Sequence, residues 1–509
     1  MLSQVKSCAL CGIEGNIITV EADISTGLPA FDIVGLPDTT VKEAKERVRS
    51  AIKNTEFEFP SKKTVINLAP AHLKKEGTHY DLPIAVAILL SSGQIKGVNA
   101  DDYAFLGELS LSGELRAVSG VLPSAIGAKE ANIKNIIVPF DNAKEAALVE
   151  GINVYGAKSL KDVYYHLTGE APIQKTTVDV ISFFNQHKKY DVDFSEVKGQ
   201  ENVKRALLIA AAGGHNTLII GSPGSGKTML AERLPTILPD MTLEEAIEVT
   251  KIHSVANILS KDCPLVSHRP FRSPHHSASA IALVGGGHNS KPGEISLAHN
   301  GVLFLDEFPE FKKDAIEAMR QPIEDGKVVV SRINATNEYP CSCMLVAAMN
   351  PCKCGYYGED PSRCKCSEKS VQSYLSRISG PILDRFDIQV TSPSVKYQDL
   401  YKKNDETSEV LRERVNNARK IQQLRYKGEN ITKNADLKGA LLEKYCKLSY
   451  DCQKIMKEAF NKMNLSARAY TKILKVARTI ADLAGKQDID IDSLAEAISY
   501  RALDRNFFS

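Results

Sequence analysis

Gly221-Ser222-Pro223-Gly224-Ser225-Gly226-Lys227-Thr228 is the stretch that decides the fold. Before it runs the apolar Thr217-Leu218-Ile219-Ile220, which reads as a short buried strand. After it comes Met229-Leu-Ala-Glu-Arg-Leu234, which reads as the start of a helix. Strand, glycine-rich loop, Lys-Thr and helix together are the context that a phosphate-binding P-loop requires. The glycines let backbone N–H groups turn inward onto phosphate oxygens, and the helix N-terminus adds the positive end of its dipole. Gly221 to Gly226 would form the cradle, Lys227 would reach the β- and γ-phosphates, and the Thr228 hydroxyl would ligate Mg²⁺. ATP and Mg²⁺ are therefore the expected cofactors. An ordinary glycine turn between strand and helix is the alternative, but it does not require every motif position to be filled with both flanks correct.

A P-loop needs a second, acidic site, and Gly301-Val-Leu-Phe-Leu305-Asp306-Glu307 supplies one. Its apolar run reads as a buried strand of a parallel sheet. Asp306 at the strand's C-terminal end would hold the Mg²⁺ shell, and Glu307 would polarise the attacking water. A further apolar strand, Met344-Leu-Val-Ala-Ala348, leads to Asn350, which can orient the same water. Gly380-Pro-Ile-Leu-Asp384-Arg385-Phe386-Asp387 then places one arginine in a compact motif. An arginine brought to a γ-phosphate stabilises transition-state charge.

This ordered set resembles the AAA+ ATPases. Val197-Lys-Gly-Gln-Glu201, Arg269-Pro-Phe-Arg-Ser-Pro-His-His276, Ala347-Ala-Met-Asn-Pro351 and Leu383-Asp-Arg-Phe-Asp387 resemble the magnesium-chelatase-like branch. The extra segment before the P-loop makes the chain look like the ComM/YifB family, and the resemblance runs across nearly all 509 residues. It implies a multidomain α/β protein. Residues 1–170 would form a Lon-protease-like α+β domain and 171–192 a linker. Residues 193–392 would form the AAA+ P-loop core with a cysteine-rich insertion at 341–369, and 393–509 a C-terminal helical lid of the magnesium-chelatase type. In that lid Leu465-Ser-Ala-Arg468-Ala-Tyr470 resembles the motif that offers an arginine to the γ-phosphate.

The first domain's resemblance to the proteolytic domain of Lon rests on Gly107-Glu-Leu-Ser-Leu-Ser-Gly-Glu-Leu-Arg116 and on the order of its elements. Lon uses a Ser-Lys dyad. Here the serine region reads Glu76-Gly-Thr-His-Tyr-Asp81-Leu-Pro, and Ser119-Gly-Val-Leu122-Pro stands where the lysine would be. Leu122 cannot act as a base, so a protease scaffold reused for binding or ring assembly is expected.

Composition bounds the rest. Hydrophobic content of 43% and charged content of 25% are those of an ordinary water-soluble protein. A net charge of +2 gives no global case for nucleic acid, so any such contact must come from local patches. No apolar run reaches about 18 residues and the N-terminus shows no signal peptide, so neither a membrane helix nor export is expected. Eleven cysteines, an odd number with six of them within 341–369, argue against a secreted disulfide framework and favour the cytoplasm. Cys352-x-Cys354 and Cys364-x-Cys366, joined by a glycine-containing turn, can give a tetrahedral thiolate shell for a structural Zn²⁺. Cys341-x-Cys343 could substitute for one pair. His275-His276, without carboxylate or cysteine company in the sequence, reads as polar loop rather than metal site.

Two segments sit where the family carries projections toward a central pore: 285–293 and 327–336. Lys291, Lys327 and Arg332 on them are candidate phosphate contacts, against the alternative of solvated surface charge. The resemblance implies an ATP-driven homo-oligomeric, hexameric ring that grips branched or single-stranded DNA. It further implies helicase activity and branch migration, extending heteroduplex during recombination in natural transformation. A chelatase motor inserting Mg²⁺ into a porphyrin and a protein-remodelling chaperone are the alternatives.

Overall fold

The structure, a computed structural model, describes residues 2–186, 190–260, 263–287, 290–332, 335–358, 362–395, 397–401 and 406–502. It is a mixed α/β protein with two principal sheets. The first has eight strands in the order Lys175–Thr176, Asn153–Ala157, Asn135–Pro139, Tyr103–Phe105, Leu2–Cys11, Glu14–Ser25, Lys63–Ala69, Ala30–Val34. Leu2–Cys11 and Glu14–Ser25 form a long antiparallel hairpin; parallel pairings carry the sheet outward from Leu2–Cys11 as far as Asn153–Ala157, and an antiparallel pairing joins Glu14–Ser25 to Lys63–Ala69. Helix Thr39–Asn54 packs on this sheet through Val41, Ala44, Val48 and Ile52, the apolar spacing visible in the sequence. Its cap is Asp38, whose carboxylate accepts from the Val41 N–H at 2.7 Å.

The second sheet is entirely parallel, in the order Phe271–Arg272, Val302–Leu305, Met344–Met349, Thr217–Gly221, Ile388–Ser392. Its three central strands are buried along their whole length. Strands covered on both faces cannot alternate polar and apolar residues, which is why they read as continuous hydrophobic runs. Helix Glu201–Gly213 packs on one face together with the C-terminal helices Ser408–Arg425 and Ala467–Leu483.

Two polar clusters hold those C-terminal helices, the first joining them to each other and the second joining the later one to the sheet. Arg425 and Arg478 converge on the buried Asp482. Asp387, just before the Ile388–Ser392 strand, accepts from His215 Nδ1 at 3.3 Å and lies 3.8 Å from Lys472 of the last long helix. Burial alone would raise this carboxyl, but the His215 hydrogen bond and the charges of Lys472, His215 and Lys475 outweigh it and hold it at about 2.

The N-terminal layer is docked on the core. The Gly120 N–H donates to the Ser254 carbonyl at 3.1 Å. The buried Glu145 carboxylate accepts from the Leu122 N–H at 2.9 Å and from the Ser254 hydroxyl. Leu122 and Val121 share an apolar cluster with Met241, Ala246, Val249 and Leu265 of the core. Helix Val180–Gln186, in the segment expected as a linker, adds Val180 and Phe184 to that cluster. Leu122 is thus a buried residue of this seam.

A carboxyl with a depressed pKa contributes stability above its unfolded pKa and loses it as pH falls toward the folded value. Asp387→Asn should therefore destabilise the protein by roughly 2–3 kcal/mol near neutral pH. It should also flatten the loss of stability between about pH 4 and pH 2. Urea unfolding of both proteins across that range measures this; identical acid profiles would refute it.

Candidate nucleotide-binding site

The P-loop leaves the buried Thr217–Gly221 strand and enters helix Lys227–Arg233. Gly224 and Gly226 have φ of +77° and +86°, the left-handed region where a side chain is strained, so the loop can turn its amides inward. Lys227 is buried, and its ammonium donates to the carbonyls of Gly221 (2.8 Å) and Ser222 (2.9 Å) and to Asn350 Oδ1 (3.2 Å). The Thr228 hydroxyl donates to Asp306 Oδ2 at 2.6 Å, and Asp306 Oδ1 accepts from the Glu307 N–H at 2.8 Å. Lys227, Thr228, Asp306, Glu307 and Asn350 thus meet at the C-terminal edge of one parallel sheet.

The donor set fits magnesium-bound nucleotide. Hydroxyl and carboxylate stand within 2.6 Å of one another, the hard oxygen ligands Mg²⁺ prefers. The lysine ammonium donates to its own loop and to Asn350, acceptors that phosphate oxygens can replace.

One member of the site was not legible. His276, four residues past the Phe271–Arg272 strand, places Nδ1 3.0 Å from Glu307 Oε2. Its strand is the sheet's edge, next to the strand that ends at Asp306, so the two loops emerge side by side. His275 stacks on it at 4.1 Å between ring centroids. The sequence showed two adjacent histidines but gave no sign of a carboxylate partner, which arrives only through sheet order.

The two arginines stand elsewhere. Arg385 precedes the Ile388–Ser392 strand and donates to Glu324; Arg468 Nη1 lies 3.3 Å from Asp384 Oδ2. A pocket of about 340 Å³ lined by Arg385, Asp384, Lys433, Lys472 and Lys475 opens at this N-terminal edge of the sheet. A five-residue strand, roughly 16 Å long, separates that edge from the P-loop.

The 327–336 projection is a hairpin, Lys327–Arg332 paired with Ala335–Pro340. Lys327 is half-exposed and bridges Glu338 at 3.1 Å. The Arg332 side chain lies outside the described residues. Lys291 is exposed on the small ribbon Gly285–Gly286 with Lys291–Pro292. The Tyr339 hydroxyl donates to the Ser290 carbonyl at 2.7 Å and joins the two projections.

Cys352, Cys354, Cys364 and Cys366 converge, their four sulfurs all within 4.8 Å of one another. Four thiols at that spacing match the donor set of a structural zinc site. Cys341 and Cys343 stand before the Met344–Met349 strand, at its other end, and do not join them.

Three family models match the chain: magnesium chelatase subunit ChlI over residues 193–400, subunit ChlI of Mg-chelatase over 20–142, and the ChlI C-terminal model over 405–501. Competence protein ComM of Haemophilus influenzae is 46% identical across 99% of this chain and 98% of its own. A YifB protein of Escherichia coli is 46% identical with the same coverage. Lon protease 1 of Hydrogenovibrio crunogenus is 23% identical over 32% of this chain and 21% of its own. No described helix is long and apolar enough to cross a membrane. With the nucleotide motifs gathered at one sheet edge and identity carried from end to end, the chain belongs to the ComM/YifB family of magnesium-chelatase-like AAA+ ATPases.

Proposed function

We propose that the protein is an ATP-driven, ring-forming DNA motor that separates or migrates strands of branched or partly single-stranded DNA. The observation that carries the motor is the cluster of Lys227, Thr228, Asp306, Glu307 and Asn350 at one sheet edge. Lys227 releases the Gly221 and Ser222 carbonyls and takes phosphate oxygens instead. Thr228 and Asp306 hold Mg²⁺, which supplies charge neutralisation on the phosphates. Glu307 takes a proton from the attacking water while Asn350 orients it. His276 holds the Glu307 carboxylate in position.

The position of the arginines supports the ring. Arg385 and Arg468 are a strand's length from their own P-loop, so one chain does not complete its own site. In a ring, Arg385 and Arg468 from a neighbouring copy meet the γ-phosphate across the interface. The DNA reading is supported by the name of the 46% identical relative, which ties it to competence, and by the joined projections carrying Lys291, Lys327 and Arg332. Such contacts address the backbone, so binding is salt-dependent and tolerant of sequence. The seam around Leu122 supports an N-terminal domain that serves assembly rather than proteolysis. Zn²⁺ on the four cysteines would be structural.

Glu307→Gln should keep ATP affinity within about twofold yet lower turnover by at least roughly 100-fold, since base catalysis contributes 10²–10⁴. Lys227→Ala should lose nucleotide binding itself. Fluorescent-nucleotide titration and phosphate release separate the two; normal turnover in Glu307→Gln sinks the assignment.

Mixing Arg385→Ala chains with Lys227→Ala chains should restore part of the ATPase activity that each lacks alone. Restoration needs sites built from both chains, so its absence from a mixture shown to co-assemble would exclude shared sites.

Forked DNA should raise the ATPase rate at low salt. Lys291→Glu with Lys327→Glu should abolish the stimulation while leaving the basal rate. A chain that ignores forked DNA but responds to a porphyrin is a chelatase motor instead.

A further inference from the structure

The four-cysteine turn is not an isolated appendage: it is packed on the phosphate cradle. Cys352 follows Asn350 by two residues, and Asn350 Oδ1 accepts from the Lys227 ammonium at 3.2 Å. The turn then closes on itself, with the Gly355 N–H donating to the Cys352 carbonyl at 3.0 Å. At Gly355, φ is +87°, and the residue's open side faces the P-loop. A Cβ added there would stand 2.4 Å from Cδ and 2.6 Å from Cγ of Pro223. Proline is stiff, with its ring fixing φ, so Pro223 cannot yield as a flexible side chain would. Cys352, at the root of the turn, is fully buried, whereas Cys354, Cys364 and Cys366 are only partly so. Two routes therefore lead from the thiols to the loop. One runs along the backbone through Pro351 and Asn350 to Lys227, and the other passes through the ring contact of Gly355 on Pro223.

We infer that the cysteine turn positions the P-loop, with Gly355 as the positioning residue, so that nucleotide affinity depends on the turn being closed by its metal. The inference rests on the zinc reading for the metal, but its contact with Pro223 does not. Sulfur–sulfur approaches of 3.3 to 4.0 Å between thiols hold a turn weakly, whereas a bound divalent ion fixes four thiolates at once. Opening the turn withdraws Gly355 from Pro223 and shifts Asn350 away from Lys227. The cradle then loses the backing that sets its amides for phosphate.

A matched glycine provides the control. Gly358, in the same turn, also has a positive φ, +77°, but among the described residues a Cβ there meets nothing within 4 Å. Gly355→Ala and Gly358→Ala carry the same kind of backbone strain and differ in the contact with the P-loop. Full-length protein is titrated with fluorescent ADP, and metal content is measured on the same samples. Gly355→Ala should retain about one zinc per chain and bind ADP about tenfold more weakly, while Gly358→Ala binds as the wild type does. Removing the metal from wild-type protein with a chelator should weaken ADP binding in the same direction, and zinc added back should restore it. The inference is overturned if Gly355→Ala binds ADP normally, if both alanine variants lose affinity equally, or if the metal leaves without changing affinity. Protein purified without chelator that holds no metal, with its four thiols freely titratable, refutes the zinc reading and the metal dependence with it. The two glycine variants still decide the contact in that case.

Discussion

A parallel sheet has two chemically different edges, and everything in this core depends on that polarity. All five strands of the second sheet run the same way, so every loop that leaves a C-terminal end emerges on one side. The phosphate loop, the acidic pair, the asparagine and the histidine pair collect there without any of them being near another in sequence. Residues that precede strands collect at the opposite edge, which is where Arg385, Asp387 and the lysines of the last long helix meet. The chain therefore presents a nucleotide-receiving side and an arginine-bearing side. Stacking copies edge to edge joins unlike surfaces, the heterologous contact from which closed rings are built.

Much of this was legible because the signals were local. The P-loop's glycines, its Lys-Thr and the apolar run before it state their geometry within twelve residues. Val302–Leu305 and Met344–Met349 are fully buried strands and read as such. Helix Ala467–Leu483 buries Ile473, Val476 and Ile480, which recur at helical spacing in the sequence. The four cysteines were legible as a set, because two close pairs joined by a glycine-containing turn can bring four thiols together.

What escaped the sequence depends on sheet order or on contacts between distant segments. Leu2–Cys11 is a full strand in the middle of the first sheet, yet its mixed polar and apolar residues gave no clean alternation. Asp38, Thr39 and Thr40 stand side by side and all three residue types can cap a helix, so only the backbone decides that Asp38 does. Arg468 was readable as a phosphate ligand from its motif, but not the edge it would occupy. The contact between His276 and Glu307 needs two loops to be neighbours, which no spacing in the chain announces.

The seam around Leu122 bears on how the protein is put together over evolutionary time. A core of this kind is often portable, joined to other domains by a flexible tether. Here the N-terminal layer covers Met241, Ala246, Val249 and Leu265 and supplies Glu145 to the Ser254 hydroxyl and the Leu122 amide. A chain shortened to begin near residue 190 would bare that apolar patch to water and leave Ser254 without its carboxylate. With Leu122 packed between the two layers, the N-terminal layer is a structural part of the core and not a detachable appendage.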